Sequence, residues 1–391
     1  MELTTKQEQG LKIAIERHQA HEKYTVIAGY AGTGKSTLVR FIIDALDVEK
    51  NKVAYVSYTG KAAEVLRKKG NENAMTLHKL LYTSIPRAAG GWIRKPKPTL
   101  GYSIVVVDEI SMVPKVLIDL LFSYKVYVIC LGDPFQLPPI DKDEDNHLLD
   151  NPHIFLDEIM RQEAESEIIQ LTMKIRDGSP IDYFKGNEVQ ILKTSELNTG
   201  MLLWADQILT ATNAKRLAIN NQMRTLLGHG PSPEDGDKVV CLRNYWDICN
   251  DEGDPLVNGT GGILTNTFKS FRKIPAAARV PINKFDILQG DFITDNHIYS
   301  GVEIDYQMML TGEKCCDWRV SYKLGKLKPR YGEIVPLEFA YGYAITTHKA
   351  QGSEWDNVLV LEEPFPYNKI EHARWLYTAV SRSAEKLVLI R

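Results

Sequence analysis

Tyr24-Thr-Val-Ile-Ala-Gly29-Tyr-Ala-Gly-Thr-Gly-Lys35-Ser36-Thr37 is the stretch on which the fold turns. A compact apolar run, Tyr24–Ala28, reads as a strand, and Lys35–Leu46 carries apolar residues at helical spacing. Between them the chain fits G-x-x-x-x-G-K-[ST], and a strand before and a helix after make that match meaningful. Glycines let backbone N–H groups wrap a phosphate, and the helix N-terminus adds a favourable dipole. Gly29, Tyr30, Ala31, Gly32, Thr33, Gly34, Lys35, Ser36 and Thr37 are therefore candidate nucleotide-binding residues. Lys35 is suited to the β- and γ-phosphates and Ser36 to a magnesium ion.

Outward from this loop, short apolar runs alternate with helix-like stretches. Val53–Ser57, Ile104–Val107 and Val126–Leu131 read as strands; Gln7–His18, Lys61–Lys69 and Pro114–Leu121 read as helices. Such alternation predicts a parallel α/β sheet, and the unalternating Ile-Val-Val-Val run fits a strand buried on both faces. A phosphate loop needs a metal-holding acid at the end of a neighbouring strand. Asp108 supplies it, with Glu109 beside it to polarise the attacking water. Gln136, after the strand Val126–Leu131, is a candidate sensor of the γ-phosphate. These residues predict nucleoside triphosphate hydrolysis.

Composition narrows the remaining choices. The 391 residues are 44% hydrophobic and 25% charged, ordinary for a globular protein and unlike a disordered tail or a collagen-like fibre. No apolar run approaches the roughly 18 residues of a spanning helix, and Met1–Gly10 lacks a signal-peptide layout. No membrane partner and a cytoplasmic location are expected. Five cysteines in irregular spacing read as reduced thiols, the adjacent Cys315 and Cys316 included. A net charge of −3 does not announce nucleic acid, but a local basic stripe is what would matter. Tyr82–Gly101 holds four cations and no acid, interrupts the strand–helix rhythm, and reads as an inserted loop or small hairpin.

The second half contains Ile208–Ala211 followed by Asn213–Leu227, another strand–helix unit, and late strands at Asp356–Leu361 and Lys386–Ile390. From Gly262 to Pro336 the segments are short and punctuated by Gly and Pro. Asn283–Thr294, Gly301–Met309 and Trp318–Leu324 are expected strands of a β-rich insertion, which carries eleven Lys or Arg against eight acids.

A phosphate loop alone does not choose among kinases, GTPases, transporters and motors. The ordered set does. Gly29–Ser36, Thr59-Gly-Lys61, Thr76-Leu-His78, Asp108-Glu-Ile-Ser-Met112, Gly132-Asp-Pro-Phe-Gln136, Arg161-Gln162, Thr210-Ala-Thr-Asn213, Asn258-Gly259, Thr346–Glu354 and Tyr377-Thr-Ala-Val-Ser-Arg382 resemble, in order, the motifs of superfamily 1B DNA helicases. The resemblance spans almost the whole chain, favours the RecD/Dda branch, and is strongest to the Dda-type helicases of phages.

The resemblance implies two RecA-like P-loop NTPase domains with a small 1B insertion and a β-rich SH3-like 2B insertion. The expected division is 1–81 and 102–163 for domain 1A, 82–101 for the 1B pin, 164–262 and 337–391 for domain 2A, and 263–336 for 2B. It implies ATP and Mg²⁺ as cofactors and 5′ to 3′ movement on single-stranded DNA. Partners would be single strands and single-strand/duplex junctions, with a single-strand-binding protein or replisome components beside them, and roles in DNA replication or recombination. Gln7 would read adenine, Glu354 would contact the ribose, and Arg161 and Arg382 would act as arginine fingers. Thr59, Lys61, His78, Thr347, His348 and Lys349 would contact the DNA backbone, a set that carries no base information. His78 could instead cap a helix and His348 could be an internal hydrogen-bonding residue. Trp92, Phe135, Tyr341 and Tyr343 are candidates for base stacking, Trp92 in the pin region. A translocase that strips proteins from DNA and an RNA helicase would use the same motifs. A clamp with a degenerate site is opposed by the intact Lys35, Ser36, Asp108, Glu109, Gln136 and Arg382.

Overall fold

A computed structural model describes residues 3–71, 73–86, 92–138, 145–160, 165–250, 255–295, 297–328 and 333–391. The chain forms two compact units. The first comprises residues 1–81, 97–212 and 346–391; the second comprises 82–96 and 213–345.

The first unit holds two sheets. One contains β1 (Tyr24–Gly29), β2 (Val53–Ser57), β3 (Met75–Thr76), β4 (Ile104–Val107), β5 (Tyr127–Gly132) and β6 (Ile154–Leu156) in the order β3-β2-β4-β5-β1-β6, every pairing parallel. The helices α1 (Thr5–Gln19), α2 (Lys35–Ala45), α3 (Gly60–Lys68) and α4 (Lys115–Phe122) belong to this half. All four residues of β4 and all six of β5 are buried, as their unalternating apolar sequence requires. Ile27, Leu38, Ile42, Ile104 and Ile129 are fully buried in one core that joins α2 to the sheet.

The other sheet runs β9-β10-β11-β8-β7, with the short strand ending at Thr346 at its edge. Its strands are β7 (Phe184–Lys185), β8 (Val189–Leu192), β9 (Gln207–Thr210), β10 (Trp355–Leu361) and β11 (Ser383–Ile390). The pairs β9–β10, β10–β11 and β11–β8 are parallel, and β7 is antiparallel to β8. Helices α5 (Glu167–Arg176) and α6 (Lys369–Val380) accompany it. Asn368 caps α6 by accepting from the Ile370 and Glu371 amides.

The second unit carries an antiparallel sheet ordered Ile298–Asp305, Lys284–Ile293, Gly261–Lys273, Lys238–Cys241 and Phe339–Tyr341. Tyr82–Pro86 and Trp92–Pro96 pair antiparallel, with Tyr82 opposite Pro96 and Pro86 opposite Trp92. Two expectations fail here. Trp318–Gly325 is a helix, not a strand: Asp317 caps it by accepting from the Arg319 and Val320 amides. Val320, Leu324 and Leu327 also fall at helical spacing against Phe285 and Ile287. The strand expected over Gly301–Met309 starts earlier, at Ile298, and ends at Asp305. There the Asp305 carboxylate accepts from the Met308 amide and starts the helix Tyr306–Thr311.

Candidate nucleotide-hydrolysis site

The loop Tyr30–Gly34 joins β1 to α2. Gly34 is the residue before α2, with φ +74°, and a Cβ there would lie 2.3 Å from Met160 Sδ and 2.5 Å from Gln7 Nε2. A Cβ on Gly29 would lie 2.7 Å from Thr33 Oγ1. Both glycines are therefore demanded by close approach. Lys35 Nζ donates to the carbonyls of Gly29 (2.7 Å) and Tyr30 (2.9 Å), so the ammonium folds back over the loop it serves. Gln7 is buried at the start of α1. Its Oε1 accepts from the Thr4 amide at 3.0 Å and its Nε2 donates to the Thr33 carbonyl at 3.1 Å, tying that helix to the loop.

Asp108 and Glu109 follow β4 directly. Glu109 is held in the left-handed region with φ +53°, and its amide donates to Asp108 Oδ1 at 3.0 Å. Burial, and then the neighbouring Glu109 carboxylate, push the Asp108 carboxyl from its ordinary 3.8 up to about 6, against the pull of Lys35. This donor set fits a divalent cation. A hydroxyl on exposed Ser36 and a carboxylate crowded by a second one are groups that a 2+ charge would relieve.

The sign of the Asp108 shift makes a prediction. A carboxyl with a raised folded value binds its proton more tightly in the native state. The stability this contributes is complete below about pH 4 and is lost as pH rises through about 6. Asp108→Asn is expected to stabilise the metal-free protein by about 2 kcal/mol at pH 7.5. That gain should shrink at pH 5, as read from urea unfolding of both proteins at the two pH values.

Residues from the second sheet complete the site. Arg382, just beyond α6, is buried; its Nη1 lies 3.7 Å from Glu109 Oε1. Its Nε donates to the Thr378 carbonyl at 3.1 Å and its Nη1 to the Ser353 carbonyl at 3.3 Å. Gln136 sits between the two charges. In the orientation its neighbours dictate, the amide nitrogen donates to Glu109 Oε2 (3.3 Å) and the oxygen accepts from Arg382 Nη2 (3.2 Å). A cavity of about 470 Å³ is lined by Gly32, Lys35, Ser36, Asp108, Glu109, Gln136, Glu354 and Arg382 together with Tyr30, Ala31, Thr33, Gly34 and Thr37. Lysine, paired acids, amide and arginine converge as hydrolysis of a phosphoanhydride requires.

Residues 2–194 match the family described as AAA domain, and residues 341–390 match that described as UvrD-like helicase C-terminal domain. The ATP-dependent DNA helicase dda of Enterobacteria phage T4 is 27% identical, over 97% of this chain and 97% of its own. The ATP-dependent RecD2 DNA helicase of Deinococcus radiodurans is 27% identical over 94% of this chain and 47% of its own, so the chain spans about half of that relative. Pif1 helicase from Bacteroides, solved with ADP-AlF3 and single-stranded DNA, shares the fold at TM-score 0.50. It has 19% identity over all of this chain and 92% of its own. These two family matches and these relatives support a helicase of superfamily 1B.

Sequence reading missed the site's internal wiring. The Tyr377 hydroxyl on α6 donates to Asp133 Oδ2 (2.6 Å) and accepts from the Ala31 amide of the phosphate loop (2.8 Å). Thr378 Oγ1 accepts from the Leu137 amide at 3.0 Å, and Arg176 on α5 lies over the Tyr30 ring at 4.2 Å. The available signal was the position of Tyr377 within the same motif as Arg382. Asp133 is buried, and burial raises its carboxyl above the usual range. Tyr377→Phe removes one of its donors and is expected to cost about 1–3 kcal/mol of stability, measured by denaturant unfolding.

The other expected residues fall as follows. Glu354 pairs with Lys69 at 2.7 Å. Phe135 is half-buried with its ring edge-on to Tyr377, 5.2 Å between centroids. Thr59 caps α3 by accepting from the Ala62 amide, and Lys61 follows in the first turn. His78 is half-buried, 5.9 Å from the Tyr58 ring. Lys349 is half-buried, and so is His348, whose burial holds its imidazole below the ordinary value. Two expectations are corrected. Thr347 is fully buried with its hydroxyl donating to the Thr210 carbonyl, so it presents nothing to a strand here. Tyr341 and Tyr343 are core residues, Tyr341 under Arg224 and Tyr343 donating to Asp237, so neither ring is free to stack on a base. The two Cys neighbours, like the other cysteines, are free thiols. Arg161 lies outside the described residues, as does the side chain of Trp92.

Proposed function

We propose that this chain is an ATP-dependent DNA helicase that moves 5′ to 3′ along single-stranded DNA. The observation that carries the reading is the meeting of Lys35, Asp108 and Glu109 from the first sheet with Arg382 from the second in one cavity. The dda and RecD2 relatives are DNA helicases by name, which supports DNA as the track.

Lys35 binds the β- and γ-phosphates, and Ser36 and Asp108 hold Mg²⁺, which supplies charge neutralisation at the phosphates when bound. Glu109 accepts the proton of the attacking water, with Gln136 orienting it. Arg382 meets the charge that grows on the γ-phosphoryl oxygens. Because Arg382 and Glu109 are borne by different sheets, the presence or absence of the γ-phosphate changes what holds the two together. That coupling is the source of stepping. Thr59, Lys61, His78, His348 and Lys349 grip the backbone of the strand, the antiparallel sheet of the second unit serves as the 2B element, and Arg161 is a second finger. Single-strand-binding protein and replisome components are its working partners, in replication or recombination.

ATP hydrolysis measured with single-stranded DNA, with RNA of the same sequence and with neither tests the track. DNA alone should activate; activation by RNA alone would replace the reading with an RNA motor. Trp92→Ala tests the hairpin as a strand-separating pin. Unwinding should slow severalfold while DNA-stimulated hydrolysis stays at the parent rate, and equal loss of both would reject the pin.

A further inference from the structure

The helix Trp318–Gly325 keeps one face in the second unit's core, where Leu324 is buried with Val320 and Leu327 against Phe285 and Ile287. Its other face exposes large rings. Trp318 is 72% and Tyr322 60% exposed, and four residues apart they lie on the same side of the helix, about 5–6 Å between their Cβ atoms. Each ring has a cation over it: Arg319 at 5.5 Å from the Trp318 centroid and Lys326 at 4.4 Å from the Tyr322 centroid. Lys323 completes the strip.

Charge distinguishes this face from an ordinary solvated one. Trp318–Lys326 contains three cations and no acid. Neighbouring cations are consumed by ion pairs, Lys314 with Glu338 and Lys328 with Asp247 and Glu333. No such pair involves Arg319, Lys323 or Lys326 among the described residues. Asp317, the nearest acid, accepts from two backbone amides as the helix cap. The fold does not need the exposed rings, because the opposite face supplies the packing.

We propose that this face is a second strand-holding surface, on which two bases of single-stranded DNA stack on Trp318 and Tyr322 while Arg319, Lys323 and Lys326 meet the flanking phosphates. The inference rests on the proposed DNA-motor reading. Flat rings interleaved with unpaired cations suit an occupant that has π-faces and a regular negative charge and imposes no base sequence. An acidic peptide would satisfy the cations but would leave the paired rings without a stacking partner.

The test uses the full chain and oligo(dT) of two lengths. Trp318→Ala/Tyr322→Ala should weaken binding of the longer oligonucleotide by about thirtyfold or more, with hydrolysis in the absence of DNA unchanged. Arg319→Gln/Lys323→Gln/Lys326→Gln should reduce the slope of log affinity against log salt by about 2, at roughly 0.7 for each phosphate no longer neutralised. Trp318→Phe should remove part of the tryptophan quenching on binding. Parent-like affinity and salt slope in both multiple variants would overturn this inference alone, including in favour of an acidic-peptide site. A parent chain that binds no DNA would overturn it together with the motor reading.

Discussion

Arg382→Ala is expected to lower the maximal rate of ATP hydrolysis by 10³- to 10⁵-fold, the range for loss of an arginine that neutralises transition-state charge in phosphoryl transfer. Arg382 is buried, 3.7 Å from Glu109, and held by the carbonyls of Thr378 and Ser353, so the guanidinium is oriented before substrate arrives. Preorganisation of that kind costs no rearrangement at the moment of reaction. The same burial means that alanine also removes the arginine's bonds to the Ser353 and Thr378 carbonyls, although Ser381 Oγ still donates to the latter. Arg382→Lys is therefore the control: it keeps the charge but cannot reproduce the planar fork that spans Glu109, Gln136 and both carbonyls. It should retain nucleotide binding and still lose at least a hundredfold in rate. Near-parent turnover in the lysine variant would show that Arg382 is only a structural tie.

Glu109→Gln should lower the rate by 10²- to 10⁴-fold while leaving nucleotide affinity within a fewfold, because the amide keeps the size of the side chain and loses only its ability to accept a proton. A second effect separates this variant from simple damage. The Glu109 charge is the second-largest cause, after burial, of the raised Asp108 carboxyl. Removing it should move Asp108 back toward the ordinary range, so that metal binding in Glu109→Gln extends to lower pH than in the parent. Titration of Mn²⁺ affinity between pH 5 and 7.5 reads this directly. An unchanged profile would mean that burial alone sets the Asp108 proton.

Where function is written in a contiguous run, the sequence was legible. β4 has the bounds read from Ile-Val-Val-Val because that run is apolar on both faces and ends at the charged Asp108. β5 shifts by only one residue from its expected Val126 start. Lys35, Ser36, Asp108, Glu109 and Gln136 were read from motif and spacing, whereas Arg382 came only from the family resemblance. The helix at Trp318 was misread because a single cap and packing against distant Phe285 and Ile287 decide it, while the local composition resembles a short strand. The bond from Tyr377 to Asp133 was not legible for a related reason: the two lie 244 residues apart, and no local pattern announces a hydrogen bond of that span. Tyr341 and Tyr343 carry the same lesson in reverse, since an aromatic beside glycine reads as a stacking candidate until its burial is known.

The central claim is that hydrolysis in this cavity separates DNA strands from the 5′ side. Two partial duplexes that share a duplex and differ only in carrying a 5′ or a 3′ single-stranded tail test it. Strand separation and ATP hydrolysis are followed together, and Lys35→Ala serves as the blank. Separation only of the substrate with the 5′ tail, abolished in Lys35→Ala, is the predicted result. Separation only from the 3′ tail, or strand-stimulated hydrolysis with no separation of either substrate, would contradict it.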